Sequence, residues 1–440
     1  MWYSVRKAFR HYLTRTRAKK LLCGASGPGV HIEPAPNNTV GRGNCIPLSE
    51  REKPVKVFVH LGHGFGVTKW RQRYSAGLIP GINEPFPYGY YRAGKDSKWL
   101  IEYSEDTDES FLTQLFRRAM LRFVGFDLIH AWRNRNRLQD ADVIWTHTER
   151  EHLALLLLWH ISKGEPRPAI IAQCVWLFDL WTKLPRWKQL LYLRLLQTAD
   201  LVTTQSPDNL AIARLLLRHV DCQSVRFGVG SGIPMMLGRR SIEKPIKLLT
   251  LGNDMHRDWQ TLIESFGGSS DYQVRLASAS AARWLVKGYR NVSLQPARTA
   301  RELTDLYQKA DLVVIPLKAN SHASGITVIL EATLFGLPVV CSDTGGLRAY
   351  FGDEHVRFVP VGNAAAMRRA VDEIAAKDEL RKGLVKRAQE RILSAGFTAQ
   401  GFADQHRRLS EKLLAKSTGE RAELHHNPAL PNHDRREIAG

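Results

Sequence analysis

The chain has 440 residues, 44% of them hydrophobic, which is enough apolar material for about two ordinary domains. Its formal net charge of +20 at pH 7 indicates anionic partners: nucleic acid, an acidic lipid surface or phosphorylated substrates. The five cysteines are odd in number and show no Cys-x-x-Cys spacing. This argues against a disulfide framework or a zinc-finger site and favours a reducing compartment.

The N-terminal residues 1–53 are interpreted as a basic leader and linker. The sequence MWYSVRKAFRHYLTRTRAKKLLC is basic throughout and lacks the apolar core of a secretory signal. Its apolar residues recur at helical spacing, so it is either an amphipathic helix on a membrane surface or a loosely ordered leader. No apolar run of 18 or more residues occurs in the chain, so a membrane-spanning helix is not expected. We expect a cytoplasmic protein, in agreement with the reducing compartment that the cysteines favour. Peripheral attachment to the inner face of the membrane is left open.

Strands and helices alternate through the first half of the chain. A buried strand predicted over residues 55–61 runs into the loop Gly62-His63-Gly64-Phe65-Gly66. Gly64 and Gly66 would let a ligand approach the backbone closely, although no complete phosphate-binding glycine motif is present. Residues 70–94 are interpreted as an irregular loop, and the predicted helices and strands that follow lie at 111–130, 142–146, 149–160, 169–174, 187–198, 201–204 and 224–227. The alternation predicts a parallel, doubly wound sheet.

The pattern restarts after a glycine-rich and charged stretch at residues 228–244. The next predicted elements lie at 246–251, 258–266, 273–277, 291–295 and 300–310. We therefore predict an N-terminal domain over 54–235, a C-terminal domain over 236–416 and a polar, disordered tail over 417–440. Paired α/β domains of this kind bind ligands in the cleft between the carboxyl ends of their sheets.

The stretch 311–346 carries the strongest functional signal. A buried strand and a short polar loop precede an apolar helix that is predicted to begin at Gly325 and end at Gly336. Ser324 is placed to cap this helix, whose free N–H groups would suit a diphosphate. Glu331 lies almost two turns further on the same face, about 10 Å along the axis, which matches the distance from a nucleotide's phosphates to its ribose. The alternative is a buried glutamate paired with an arginine or lysine from elsewhere.

The segment GITVILEA, followed by FGLPVV, resembles the donor-site signature of family 4 glycosyltransferases, which are retaining enzymes with the GT-B fold. The resemblance implies two Rossmann-like doubly wound domains facing a central cleft. It also implies that Glu331 holds the ribose of a nucleotide sugar. The family carries a second glutamate eight positions earlier, where this chain has Ala323. Polar residues that are candidates to replace it lie beside that position: Ser321, His322 and Ser324.

Two further segments extend the resemblance. LGNDMHRD is similar to the family's diphosphate-binding segment, with Asn253 and Arg257 at the positions of its two cations. By itself Arg257 could equally be a solvated residue of the first helical turn. DVIWTH is similar to the strand that ends in the family's active-site histidine, which implies that role for His147, although a lone histidine at a strand end is usually structural. Gly64 and Gly66 match a loop near the donor phosphates, and the implied phosphate cradle consists of Ser324, Gly325 and Ile326.

The resemblance implies a retaining transfer from a nucleotide diphosphate sugar to a lipid-linked or saccharide acceptor, as in polysaccharide or glycoconjugate biosynthesis. In such a transfer the leaving diphosphate helps to deprotonate the acceptor, so neither a metal ion nor another cofactor is expected. A GT-B nucleotide-sugar epimerase is one alternative. A nucleic-acid-binding protein is another, but only the charge favours it, because no recognised nucleic-acid-binding motif is present.

Two other features of the sequence have competing interpretations. Asp106-Thr107-Asp108 and Asp140-Ala141-Asp142 have the spacing of metal-binding DxD triplets, but the first is interpreted as a helix cap and the second as a strand border. The basic and aromatic stretch 111–137 is interpreted as a surface for anionic lipid near the acceptor site. An ordinary amphipathic helix with solvated arginines would give the same pattern.

Overall fold

A computed structural model describes residues 53–162, 167–230, 235–236 and 241–425, with side chains described as far as residue 415. The predicted leader (apart from Lys53) and the end of the predicted tail lie outside the described residues. Two six-stranded sheets account for the strands, one in each half of the chain. Every strand pair in both sheets is parallel, as the alternation of strands and helices predicts.

The first sheet has the strand order β2-β1-β3-β4-β5-β6. Its strands are β1 (Val55–His60), β2 (Trp99–Tyr103), β3 (Val143–Thr146), β4 (Ala169–Cys174), β5 (Leu201–Thr204) and β6 (Asp221–Ser224). The helices between them are α1 (Val67–Ser75), α2 (Phe111–Val124), α3 (Leu128–Gln139), α4 (Glu149–Ile161), α5 (Arg186–Leu196) and α6 (Pro207–Leu216). The central strands are apolar without alternation because helices cover both faces of the sheet, and β3 is buried along its whole length.

The second sheet has the order β12-β11-β10-β7-β8-β9. Its strands are β7 (Ile246–Leu251), β8 (Tyr272–Ala277), β9 (Val292–Leu294), β10 (Leu312–Ile315), β11 (Val339–Ser342) and β12 (Arg357–Val359). The helices are α7 (Trp259–Phe266), α8 (Ala300–Lys309), α9 (Ile326–Leu334), α10 (Ala364–Ala376), α11 (Asp378–Ser394) and α12 (Ala399–His425). The helix α9 is buried almost all round, which explains why its sequence shows no polar face.

Three predicted elements differ from the structure. The helix predicted over 111–130 is two helices, because Gly125 ends α2 in a left-handed conformation and Asp127 caps α3. Residues 70–94 are not an irregular loop, since they contain most of α1 and most of a 3-10 segment at Pro87–Lys95. The last predicted strand of the first domain lies a few residues earlier, at Asp221–Ser224.

The C-terminal helix α12 returns to the first domain. Phe402 and Ala403 belong to the apolar cluster of the first sheet, and the Trp145 indole N–H donates a 2.8 Å hydrogen bond to the Ser410 hydroxyl. The predicted domain 236–416 assigns this helix to the second half of the chain, but its packing is on the first. Residues 417–425 continue the helix, so this part of the predicted disordered tail is helical because α12 extends without a break.

The carboxyl ends of the two sheets face each other across the domain interface. The Ser206 hydroxyl donates to the Ser321 carbonyl at 2.5 Å, and the Tyr350 hydroxyl donates to the Gln205 carbonyl at 3.1 Å. Gly346 packs so closely on Ser206 that a Cβ at this glycine would overlap it. The cleft predicted between the domains is therefore the place where the loops after the central strands of both sheets meet.

Candidate active site

A buried arginine lies at the carboxyl end of the second sheet. Arg257 is only 6% exposed, and its Nε and Nη1 have no hydrogen-bond partner. Gly252 (φ 137°) and Gly325 (φ 87°) leave room for the guanidinium: a Cβ at Gly252 would overlap it, and one at Gly325 would lie 3.0 Å from Nη1. Burial lowers the pKa of Arg257, but a guanidinium remains protonated in proteins. The solvated alternative for Arg257 is wrong, and two buried N–H donors are available to an anion.

The start of α9 lies beside this guanidinium. The N-cap residue is Gly325, with no side-chain hydrogen bond, so the first-turn N–H groups lack a side-chain acceptor. The prediction that Ser324 caps the helix is wrong, because its hydroxyl donates to Asp254 Oδ2 at 2.7 Å instead. A buried guanidinium and an uncapped helix N-terminus with its positive dipole together favour an anionic group. The Ile326 N–H donates to the Ala323 carbonyl at 3.2 Å, and the phosphate cradle at Gly325 and Ile326 stays a prediction.

Glu331 lies in the middle of α9, is 5% exposed and contacts both domains. Its Oε1 accepts a 2.8 Å hydrogen bond from the Ile82 backbone N–H of the first domain, and its Oε2 accepts one of 2.8 Å from the Tyr307 hydroxyl. Burial raises the pKa of Glu331, and these two hydrogen bonds oppose the rise. The predicted alternative, an ion pair with arginine or lysine, is therefore not what holds this carboxylate. A ribose bound at Glu331 would have to share the carboxylate oxygens with the Ile82 N–H or replace this N–H.

The other predicted donor-side residues have structural partners. Asn253 Oδ1 accepts the backbone N–H of Ala279 at 2.7 Å, which fixes the turn after β8. The Gly64 N–H donates to Asp106 Oδ1 at 3.0 Å, and a Cβ at Gly66 would overlap the Asp106 backbone. Asp106 thus holds the glycine-rich loop and does not cap α2, whose cap is Ser110. Donor roles for Asn253, Gly64 and Gly66 stay predictions.

His147 follows β3 directly and is 7% exposed. Its Nδ1 lies 3.0 Å from the Tyr90 hydroxyl and 3.4 Å from the Gln173 amide nitrogen. Two donors facing Nδ1 make it the acceptor, so Nε2 carries the proton. Burial, with a contribution from His406, lowers the pKa of His147 to about 3. His147 is thus a neutral hydrogen-bond donor at every physiological pH.

Tyr88 contributes to the site and gave no signal in the sequence. It has φ 57°, an uncommon conformation for a bulky residue, and its ring stacks on His147 with a 3.5 Å centroid distance and a 13° angle between planes. Backbone strain of this kind persists where surrounding packing enforces it, often at functional sites. Tyr88 and His147 line a cavity of about 280 Å³ together with His60, Leu61, Gly62, His63, Phe65, Arg117, Leu121, Asp127, His130, Thr148, Arg150, Glu151 and Trp176.

A polar network joins the domains beside Arg257. Asp179 from the first domain lies 3.1 Å from His256 and 3.2 Å from His322 of the second, measured from its Oδ2. Ser321 donates its N–H and hydroxyl to Asp179 Oδ1 at 2.7 Å and 3.0 Å. Burial acts to raise the pKa of Asp179, but hydrogen bonds from His322 and Ser321 hold it at about 2. The three candidates to replace the glutamate missing at Ala323 are thus all engaged with aspartates.

The aspartates of the second DxD triplet make structural contacts, in agreement with their interpretation as a strand border. Asp142 Oδ2 accepts the Lys56 backbone N–H at 2.8 Å, and Asp140 ends α3. A separate cavity of about 470 Å³ lies between the start of β7 and α8, and it contains none of the predicted site residues.

Glu151 in the cavity wall provides a pH-dependent prediction. It accepts hydrogen bonds from the Thr148 N–H and hydroxyl, yet burial raises its pKa to about 7. The native state therefore keeps a proton that the unfolded chain loses above its ordinary pKa of about 4.3. The contribution of Glu151 to the free energy of unfolding is therefore largest below about pH 4.3. It falls as the pH rises to about 7 and does not change further above that pH. The free energy of unfolding falls by about 4 kcal/mol at most.

We expect Glu151→Gln to retain both hydrogen bonds and to flatten this dependence, so that the variant is the more stable protein at pH 8. Denaturant unfolding between pH 4.5 and 8 measures the difference, with the exposed Glu264→Gln as the control. An unchanged slope for Glu151→Gln would contradict the assignment.

Residues 284–391, less than half of the chain, match the model of the family described as Glycosyl transferases group 1. The match includes α9 with Gly325 and Glu331 but not Arg257. A comparison with curated protein sequences gives no match.

Solved structures are similar over most of the chain. Sucrose-phosphate synthase from Thermosynechococcus elongatus is 16% identical, with 82% of this chain and 100% of that chain covered and a TM-score of 0.62. HepE from Anabaena, in complex with UDP and glucose, is 12% identical, with 81% and 99% covered and a TM-score of 0.57. A glycosyltransferase from Rickettsia africae is 12% identical, with 83% and 99% covered and a TM-score of 0.51. Identities this low show the fold alone.

The two parallel sheets and these likenesses confirm the predicted GT-B architecture. The chain has a GT-B fold, and residues 284–391 of its second domain match the model described as Glycosyl transferases group 1. The predicted enzyme class, a glycosyltransferase, is confirmed by that match.

Proposed function

We propose that the chain is a retaining family 4 glycosyltransferase, which moves a sugar from a nucleotide diphosphate donor to a lipid-linked or saccharide acceptor. The expected setting is polysaccharide or glycoconjugate biosynthesis at the cytoplasmic face of a membrane. The observation that carries this proposal is Arg257, whose two unpartnered N–H donors are buried at the uncapped start of α9. A buried cation without partners is costly, and a diphosphate would supply the missing acceptors.

The donor diphosphate is placed against Arg257 and the first-turn N–H groups of α9, with the ribose toward Glu331. A carboxylate oxygen has two lone pairs, so Glu331 can accept ribose hydroxyls in addition to the Tyr307 hydroxyl. The Ile82 N–H occupies the cleft side of the same carboxylate, and a Cβ at Gly81 would already lie 2.8 Å from Oε1. We therefore expect donor binding to move the first-domain segment 79–84 away from Glu331. UDP in the HepE structures supports a nucleotide donor of this class.

The acceptor is placed in the cavity lined by His147 and Tyr88. The Nε2–H of a neutral His147 can donate to an oxygen of the donor sugar or the acceptor, and the ring is held by Tyr88 and Tyr90. Electrostatic stabilisation of the departing diphosphate by Arg257 and the α9 dipole supplies the charge compensation that transfer needs. The proposed reaction uses no metal ion and no separate cofactor.

Calorimetry with UDP and GDP tests the donor assignment. We expect wild-type protein to bind at least one of them and Glu331→Ala to bind roughly 10- to 100-fold more weakly, because hydrogen bonds to a buried charge are lost. Glu264→Ala, an exposed glutamate in the same domain, is the matched control and should bind like wild type. If wild-type protein binds neither nucleotide, or Glu331→Ala binds equally well, the donor site is not here.

We further propose that the first domain docks on an anionic membrane through an apolar surface on α2. Phe111, Leu112 and Leu115 are 76%, 75% and 56% exposed, and Phe123 stacks on Trp187 of α5 at 5.4 Å. Basic side chains adjoin this surface on the same two helices, including Arg118, Arg122 and Lys188. An apolar face edged by lysine and arginine is typical of an interfacial helix. Among the described helices none has the length and apolarity needed to cross a bilayer.

The helix α2 also forms part of the cavity wall. Arg117 and Leu121 line the proposed acceptor cavity while their neighbours on the same helix form the apolar surface. A lipid-linked acceptor held in the bilayer would therefore present its head group close to His147. This placement favours a lipid-linked acceptor over a free saccharide.

Replacing two leucines of this surface tests the membrane proposal. We expect Leu112→Glu with Leu115→Glu to reduce binding to phosphatidylglycerol-containing vesicles roughly tenfold or more, because two apolar contacts are lost and two negative charges are added. Vesicle co-sedimentation measures this, with Leu215→Glu as control, since Leu215 is 68% exposed on α6. Equal sedimentation of the double variant and wild type would refute this docking surface.

A further inference from the structure

Three side chains from the two domains place ligand atoms around one point in the cleft. Asp179 Oδ2 lies 3.1 Å from His256 Nε2 and 3.2 Å from His322 Nδ1, and the three atoms lie within 4.8 Å of one another. All three side chains are buried, with 6%, 6% and 4% exposure in that order. One carboxylate and two imidazoles are a donor set that zinc and related divalent metals prefer.

A fourth residue, Asp254, contacts the other ring nitrogen of both histidines. Asp254 Oδ1 lies 3.2 Å from His256 Nδ1, and Asp254 Oδ2 lies 2.9 Å from His322 Nε2. Asp254 can accept the distal N–H of both rings, and with a metal ion bound His256 Nε2 and His322 Nδ1 would then present lone pairs to it. Metal-binding histidines commonly donate the distal N–H to a carboxylate in this way, which orients the ring and raises its basicity.

A metal ion can bridge the three facing atoms. His322 Nδ1–H donates to Asp179 in the metal-free chain, and loss of that proton leaves Asp179 Oδ2, His322 Nδ1 and His256 Nε2 as three acceptors around one point. A single added proton on His322 or His256 satisfies one of the two contacts with Asp179, whereas a metal ion satisfies all three. The two distances from Asp179 Oδ2, 3.1 Å and 3.2 Å, fit, because tetrahedral zinc with bonds of about 2.0–2.1 Å separates its ligand atoms by about 3.3 Å. A divalent ion also neutralises the carboxylate of Asp179 and that of Asp254, which is partly buried.

We propose that Asp179, His256 and His322 bind a divalent transition-metal ion, of which zinc is the best match, and that this ion clasps the two domains. Asp179 comes from the loop after β4, while both histidines come from loops of the second sheet, after β7 and β10. The ion would hold the carboxyl ends of the sheets together beside Arg257. The metal ion would have a structural role and would take no part in sugar transfer. Its binding does not depend on the proposed function, and the transfer reaction is still expected to proceed without a metal ion.

The test uses zinc alone, added to full-length protein that has been treated with a chelator and contains no nucleotide. We expect one zinc per chain by elemental analysis after removal of loosely bound metal, and a thermal midpoint raised by at least about 3 °C. His256→Ala and His322→Ala should each lose the site. Asp254→Asn should weaken zinc binding roughly 10- to 100-fold, since it removes a partner that orients the ligands.

The matched control is His355→Ala, a second-domain histidine whose neighbour is Glu354, at 3.2 Å. It should bind zinc like wild type, and circular dichroism verifies that every variant is folded. If a histidine variant does not fold, Asp179→Asn is measured in its place, because it keeps the size of the side chain. It should also lose zinc binding. Less than about one zinc per ten chains in wild-type protein overturns the proposal. Equal zinc binding by wild type, Asp179→Asn and His322→Ala also overturns it, because the metal is then held elsewhere.

Discussion

Replacement of Arg257 by methionine is expected to weaken binding of a nucleoside diphosphate by roughly 100-fold or more. Methionine keeps the apolar stem but removes the charge and both unpartnered donors, Nε and Nη1. Hydrogen bonds to a charged group contribute about 1.5–3 kcal/mol each, and two of them account for a factor of this size. Titration calorimetry with the nucleotide that wild-type protein binds measures the change.

The same substitution should not lower stability without nucleotide. The two buried donors have no partner to lose, and burial already disfavours the charge. Arg257→Lys should retain part of the affinity, as a point charge without the planar fork of arginine. Arg290→Met, at an exposed arginine of the same domain, is the control. If Arg257→Met binds nucleotide like wild type but unfolds at a lower temperature, Arg257 contributes to packing and not to nucleotide binding.

Replacement of His147 by alanine is expected to reduce the rate of sugar transfer by about 100-fold or more while changing the donor affinity less than about threefold. A donor fixed toward the reacting groups contributes on this scale when it is removed. The ring is fixed by the Tyr90 hydroxyl and by stacking on Tyr88, so little reorganisation is needed. Turnover and calorimetry on the same preparation separate the two effects.

The conservative variant and the pH profile make this prediction specific. His147→Gln places an amide N–H near the position of Nε2 and should recover part of the lost rate. Because the pKa of His147 is about 3, His147 should produce no change of rate between pH 5 and 9. A transfer rate that is unaffected in His147→Ala would leave the histidine as a structural hydrogen bonder.

Much of the fold follows from local sequence. Continuous apolar runs located β1, β3, β4, β7 and β10 to within a residue or two of their ends, because helices cover both faces of these strands. The strand Trp99–Tyr103 is not predicted by the sequence pattern, because it lies at the edge of the sheet, is partly exposed and mixes apolar with charged residues. The break at Gly125 was likewise hidden, since the apolar and basic pattern continues from α2 into α3.

Candidate site residues can be predicted from their own local segments, whereas contacts between distant segments cannot. Family resemblance pointed to Arg257 in the segment after β7 and to Gly325 and Glu331 in the segment after β10, and the structure places Arg257 beside Gly325. The Ile82 N–H that binds Glu331 is 249 positions away, so no spacing rule could have found it. The link between Asp179 and His322, separated by 143 positions, was missed for the same reason. Local sequence favours Ser324 as the helix cap, and it gives no sign of the actual partner, Asp254, because Asp254 lies 70 positions away.

The location of a bound nucleotide is the most direct test of this account. A crystal structure of the chain with saturating UDP or GDP should show the diphosphate between Arg257 and the first turn of α9. The ribose should lie on Glu331, with the segment 79–84 displaced from that carboxylate. A nucleotide bound at the cavity between β7 and α8, or a cleft that stays without nucleotide at saturation, would contradict the proposed donor site.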